Sequence, residues 1–187
     1  MDRKKASLLI SMPPLEETIF HQSVILLVEQ DEEGALGFIF NKDTGASLHA
    51  TLRLLELESL DNHELPLLLG GPVQNDFFWF VHAPTFEAEN SFLINESLTL
   101  SPASQVLGIK KGELRPVLYA AGIGYSGWGP GQLEEELEEG AWWQTDFDSA
   151  LLLETPIELR WSTAFEALGA HTDQLIDRTD LQDPTIN

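Results

Sequence analysis

The stretch Gly122 to Trp143, GIGYSGWGPGQLEEELEEGAWW, holds the residues whose types and spacing come nearest to a known chemistry. Gly122-Ile123-Gly124-Tyr125-Ser126-Gly127 fits G-x-G-x-x-G after an apolar run, the pattern that sets a dinucleotide pyrophosphate on a helix N-terminus. Here Trp128-Gly129-Pro130-Gly131 intervenes before any helix, and that helix carries Glu134, Glu135, Glu136, Glu138 and Glu139. These carboxylates oppose a phosphate, since one like-charge pair at ~5 Å costs on the order of 1 kcal/mol even in a water-like dielectric. Gly124-Tyr125-Ser126-Gly127-Trp128 comes within one residue of the nucleophile elbow G-x-S-x-G, but Trp128 stands where that strained turn needs a small residue. Ser126 reads better as a hydroxyl that satisfies a turn's backbone.

The histidines, His21, His49, His63, His82 and His171, form no H-x-x-x-H or H-E-x-x-H pair, so no metal site is expected. His82 ends an aromatic run and reads as a hydrogen-bonded structural histidine, with a place in a binding site as the alternative. Asn41 follows a buried strand; bonding a turn's backbone is the usual work of such a residue, and ligand contact is the alternative. Consecutive carboxylates on a helix point to different sides, which favours a solvated face at Glu134 to Glu139 over a divalent-cation site. Trp128, Trp142 and Trp143 read as core and loop anchors rather than a stacking platform for bases. The chain has no cysteine, which excludes disulfides, thiolate metal sites and cysteine nucleophiles. No cofactor is expected.

The formal net charge is −21, from 31 acidic against 10 basic residues. Such a field repels nucleic acid and anionic membranes and favours a basic protein partner, cations or plain solubility. No apolar run approaches the roughly 20 residues of a membrane span. The run Leu8 to Ile10 is too short for a signal peptide. The expectation is a cytoplasmic protein that does not enter a membrane and does not bind nucleic acid directly.

The elements that must position these residues follow from apolar runs and punctuation. Strands are expected at Ser7 to Ser11, Ser23 to Gln30, Ala35 to Asn41, Leu67 to Leu69, Asp76 to His82, Ser91 to Leu100, Pro116 to Ala121 and Trp142 to Phe147. The near-continuous apolar run Ser23 to Gln30 suits a strand buried on both faces. Loops are expected at Asn41 to Ser47 and over the glycines from Gly122 to Gly131. Helices are expected over Leu48 to Leu60, over a short piece capped by Ser101-Pro102, over the acidic run with Pro130 in its first turn and Gly140 as its stop, and from Thr155-Pro156 to Leu168 with Gly169 as its stop. A turn or short helix covers Asp148 to Glu154. The interspersed order predicts an α+β fold: one domain over residues 1–187, a mixed sheet with hairpins, several short helices, and a polar tail at 170–187.

Tyr125-Ser126-Gly127-Trp128-Gly129-Pro130-Gly131-Gln132-Leu133-Glu134 resembles the signature of the YqgE/AlgH family of bacterial proteins. The resemblance continues in order through Leu8-Leu9-Ile10 with Pro13 or Pro14, Phe20, Ser23 to Leu27, Glu33-Gly34-Ala35 with Gly37 to Asn41, Gly70-Gly71-Pro72-Val73, His82, Trp161 and Leu168-Gly169. The tail Asp183 to Asn187 is similar to the Bacteroidetes branch. Three positions depart from the pattern: Asp43 where proline is frequent, Gln30 where histidine is frequent, and Glu17 where aspartate is usual. The second change removes a titratable ring from any acid–base or metal role. The resemblance implies a single-domain α+β protein of the bacterial cytoplasm. It brings a label of transcriptional regulator, which these residues do not derive, and no catalytic residue.

Shape-determining residues abound and no nucleophile–base set does, so a non-catalytic binding or regulatory protein ranks first. Its ligand or partner surface is expected at Asn41, Gly70, Gly71, His82, Tyr125, Ser126, Trp128 and Gln132, for a small ligand or a basic protein. The alternatives are a transcriptional regulator acting through a protein partner, and an enzyme using Asn41, His82, Ser126 and Gln132.

Overall fold

Leu8 to Ile10 and Val24 to Leu27 contain no polar residue, and the strands they form are buried on both faces in the computed structural model of the chain. The structure describes residues 6–54, 65–84, 89–109 and 116–169. In chain order the elements are β1 (Ser7–Ser11), β2 (Val24–Asp31), β3 (Gly34–Ile39), β4 (Asp43–Ser47), α1 (Leu48–Leu54), β5 (Pro66–Leu69), β6 (Val73–His82), β7 (Phe92–Asn95), β8 (Leu98–Pro102), α2 (Ala103–Leu107), β9 (Leu118–Trp128), α3 (Gln132–Glu138), β10 (Trp142–Asp146), α4 (Ser149–Leu153) and α5 (Arg160–Ala167). The strands form one sheet in the order β10-β1-β2-β3-β9-β6-β8-β7, with β4 and β5 attached through β5 to β9. Among the described pairings β5 on β9 is parallel and the others are antiparallel. The fold is α+β.

Strand alternation divides the core. Leu8, Ile10, Val24, Leu26, Phe38 and Phe40 face Leu151 and Leu152 of α4 and Ala164 and Phe165 of α5. Leu9, Ile25, Leu27 and Ile39 face the other way, onto Trp128, Leu133 and Trp142. A third group packs Leu67, Phe80 and Ala121 beneath Leu48 and Leu52 of α1 and Ala103 and Val106 of α2. Each such leucine, isoleucine, valine or phenylalanine side chain removed from water contributes about 1.5–3 kcal/mol before chain entropy is set against it.

The central element is β9, where the glycine pattern predicted a loop. It continues as strand to Trp128, and the turn is confined to Gly129 to Gly131. Its first half lies between β5, which pairs Leu67 to Leu69 with Ala121 to Ile123, and β6. Its last residues, Ser126 to Trp128, pair with Gly37 to Ala35 of β3. The glycines serve close approach: a Cβ on Gly122 would lie 2.1 Å from the ring of Trp79.

Other expectations shift for local reasons. Ser91 to Leu100 is a hairpin, β7 and β8, because Asn95 Oδ1 accepts from Ser97 N (2.8 Å) and makes the turn. Residues 43–47, expected as loop, are β4, paired with β5. Ser101 does not cap α2; it ends in β8 with its hydroxyl on His82, and Pro102 is the residue before the helix. Pro130 precedes α3, whose cap is Gly131 at φ 75°. The helix predicted from Thr155 begins as a 3₁₀ turn at Ile157–Leu159 and becomes α5 at Arg160. Asp148 caps α4, accepting from Ala150 N and Leu151 N. Gly140 and Gly169 adopt the left-handed conformation expected of helix stops (φ 73° and 70°). The far end of the helix predicted to Leu60 and the tail at 170–187 lie outside the described residues.

Candidate functional site

Two glycine-rich blocks far apart in sequence form one junction. Gly70 N donates to Ile123 O and Gly70 O accepts from Ile39 N, both at 2.7 Å, so one residue bridges β9 and β3 where β9 changes partners. Ser126 Oγ donates to the same Gly70 carbonyl at 3.1 Å. A Cβ on Gly71, which sits at φ 154°, would lie 2.3 Å from the backbone of Tyr125. Trp79 Nε1 donates to Gly124 O at 2.9 Å. Gly70, Gly71 and Ser126 are buried in this junction. Tyr125 is half-buried, with its ring edge to face on Phe77 at 5.9 Å.

The rest of the motif closes on a carboxylate. Glu136 Oε2 accepts from Trp128 Nε1 (2.8 Å) and from Trp142 Nε1 (2.7 Å), while Oε1 accepts from Gln132 Nε2 (2.9 Å). Gln132 Oε1 in turn accepts from Gly129 N at 3.0 Å. The two indoles meet edge to face at 5.9 Å, and Phe20 packs on both. Tryptophan has one donor and nothing else polar, so a half-buried carboxylate that accepts from both rings fixes α3 against β9 and β10. Leu133, Glu136 and Leu137 point inward, and Glu134, Glu135, Glu138 and Glu139 stand exposed. Gln30, where the family pattern has histidine, donates to Glu134 Oε1 at 2.8 Å and so joins α3 to the Asp31-Glu32-Glu33 turn, whose acidic side chains are exposed.

Asn41 is a structural clasp: its Oδ1 accepts from Val24 N (2.8 Å) and its Nδ2 donates to Gln22 O (2.7 Å). Lys42 donates to His21 O at 2.6 Å, and burial lowers its pKa. Sequence reasoning missed Arg160, which is buried, donates to Thr155 O (3.0 Å) and to Phe40 O, and lies over the Phe40 ring. Burial lowers its pKa to about 10, with Glu158 opposing. Its position in an amphipathic helix gives no sign that it turns inward.

His82 is fully buried. A carbonyl only accepts, so the 2.7 Å contact with Ala83 O places the proton on Nδ1; Nε2 then accepts from Ser101 Oγ at 2.8 Å. Burial lowers the pKa of the ring, and the bond to Ala83 opposes this. His82 pairs with Leu118 at the start of β9, whereas Ser126 lies near its end. At about 3.3 Å per residue this separates them by on the order of 25 Å, beyond any proton transfer. The structure therefore does not assemble Asn41, His82, Ser126 and Gln132 into one acid–base site. Among the described residues no group of three His, Asp or Glu side chains could hold a metal ion, and no helix is long and apolar enough to cross a membrane.

A cleft of about 400 Å³ that the sequence did not announce opens over the third core group, between α1, α2 and β6. Leu52, Phe80 and Ala103 form its floor, Phe77, Phe78 and Leu107 its walls, and Asp76 and Ser104 its polar rim. The only sequence signal was the alternation of Asp76, Phe78 and Phe80 along β6.

Comparison with known proteins gives consistent matches. A family model described as AlgH-like matches residues 8–173. The chain is 35% identical over 178 residues to a UPF0301 protein of Shewanella loihica, covering 94% of this chain and 96% of that one. It is 32% identical over 176 residues to a UPF0301 protein of Vibrio vulnificus, covering 91% and 94%. The solution structure of the AlgH protein from Pseudomonas aeruginosa is similar with a TM-score of 0.70 at 30% identity, over 97% of this chain and 95% of that one. A crystal structure of a Corynebacterium diphtheriae protein has a TM-score of 0.65 at 21% identity, over 89% and 90%, which shows a shared fold.

Proposed function

The chain belongs to the AlgH-like family, and we propose that it works as a non-catalytic binding or regulatory protein of the bacterial cytoplasm whose partner is a basic protein. The observation that supports this reading is the division of labour in α3. Its inward residues and the polar groups of the motif are bonded within the protein, and Glu134, Glu135, Glu138 and Glu139 are held outward beside the acidic turn of Asp31 to Glu33. A rigidly presented acidic surface on a chain of net charge −21 attracts a basic protein and repels nucleic acid. Gln132 is exposed in the same helix, so it is the residue of the expected site that lies beside such a partner; Tyr125 packs on the other face of the sheet.

The test is affinity capture from bacterial extract with the native protein and with a variant carrying Glu134→Gln, Glu135→Gln, Glu138→Gln and Glu139→Gln. These side chains are exposed, so the variant should keep the native fold, which its circular dichroism spectrum checks. A basic protein retained by the native chain, released by salt and missing from the variant is the expected result. Retention of the same protein by the variant, or turnover of a substrate by the native chain, would remove this reading.

A further inference from the structure

We propose that the cleft between α1, α2 and β6 is a binding site for a small arylalkyl ammonium ion. The floor and walls are apolar and aromatic, and a volume of about 400 Å³ lies within the range of small-molecule sites, roughly 300–1,000 Å³. An aromatic body of that size finds Phe78 and Phe80 to pack on, with Leu52 and Leu107 closing the sides. The sign of the head group follows from the rim. Asp76 lies in β6 on the same face as Phe78 and Phe80, is exposed, and makes no side-chain hydrogen bond or ion pair among the described residues. Ser104 Oγ, from α2, supplies a second acceptor at the edge. Among the described residues no basic one lines the cleft, and the net charge of −21 disfavours an anionic ligand. Arg53 follows Leu52 in α1, and consecutive helical residues project about 100° apart, so it does not share the face that lines the cleft. An ammonium group within reach of Asp76, above a ring seated on phenylalanines, satisfies every group the cleft presents.

The probes are 2-phenylethylammonium chloride, its neutral counterpart 2-phenylethanol, and phenylacetate, each titrated into the full chain while backbone amide shifts are followed. The ammonium ion is expected to shift the amides of Asp76, Phe78, Ser104 and Leu107 and to bind about tenfold more tightly than the alcohol, the usual increment of one charge-assisted hydrogen bond. Phenylacetate should bind more weakly than either. Asp76→Asn should reduce the ammonium ion to the affinity of the alcohol without changing the unfolding temperature, and Ser104→Trp, which fills the opening, should remove both. Equal affinity for ammonium and alcohol, binding undiminished in Asp76→Asn, shifts confined to other parts of the chain, or no binding at all would each overturn the proposal. The acidic corner takes no part in this site, so the two readings stand or fall separately.

Discussion

His82 and Glu136 show what an isolated polar residue does when a sheet closes around it. In His82 the neutral ring is satisfied by an acceptor at Ala83 O and a donor at Ser101 Oγ, and a proton on Nε2 would have to be held without water. Its pKa in the fold is therefore below the ordinary 6.5, with desolvation the larger cause and the bond to Ala83 opposing. The sign follows: below pH 6.5 the unfolded chain takes up a proton that the folded chain refuses, so stability is present above that pH and is lost as pH falls toward the folded pKa. The loss is at most about 1.4 kcal/mol per pH unit. Urea unfolding of the native chain at about pH 7.5 and about pH 5.5 should show it, and His82→Gln should show a smaller difference between the two pH values. An equal loss in both proteins would assign the slope to other groups. Glu136 was legible in the sequence as one of a run of carboxylates, but not as the one that turns inward to two indoles.

At the scale of the element, β9 decides the fold. Its glycines look alike in sequence and differ in what surrounds them. Gly122 faces the ring of Trp79, which is fully buried, so any side chain must displace an indole that also bonds Gly124 O. Gly127 is exposed, and a Cβ there would meet nothing closer than the ring of Tyr125 at 3.6 Å. Gly122→Ala should cost about 3 kcal/mol, as overpacking of a closed site does, and Gly127→Ala should stay within about 0.5 kcal/mol of the native chain. Chemical denaturation of the two variants checks this, and similar costs would mean that the motif acts through backbone freedom rather than close approach. The glycines were misread as a loop because conformational freedom and lack of a Cβ are the same property of the residue. Which one a position uses depends on the neighbouring strand.

For the whole molecule the dominant quantity is charge. Among the described residues the cations are Lys42, Arg53 and Arg160, and the first and last of these bond backbone carbonyls. A chain of net charge −21 therefore repels itself when compact. Raising sodium chloride from about 20 mM to about 500 mM shortens the Debye length and should raise the unfolding temperature by a few degrees, roughly as relief of 1 kcal/mol would. A temperature that does not move would mean that the carboxylates are spaced widely enough not to interact. Charge, the lack of cysteine, the strands at Ser7 to Ser11 and Val24 to Leu27, the left-handed stops at Gly140 and Gly169 and the α+β class are all local or additive properties, and the amino-acid order contains them in full. The joining of Gly70-Gly71 to Gly124-Tyr125, the carboxylate shared by Trp128 and Trp142, the burial of Arg160 and the cleft beneath Asp76 arise from register between segments distant in sequence. No window of residues holds that register, because the atom that forbids a side chain, accepts a proton or leaves a gap belongs to another strand or helix.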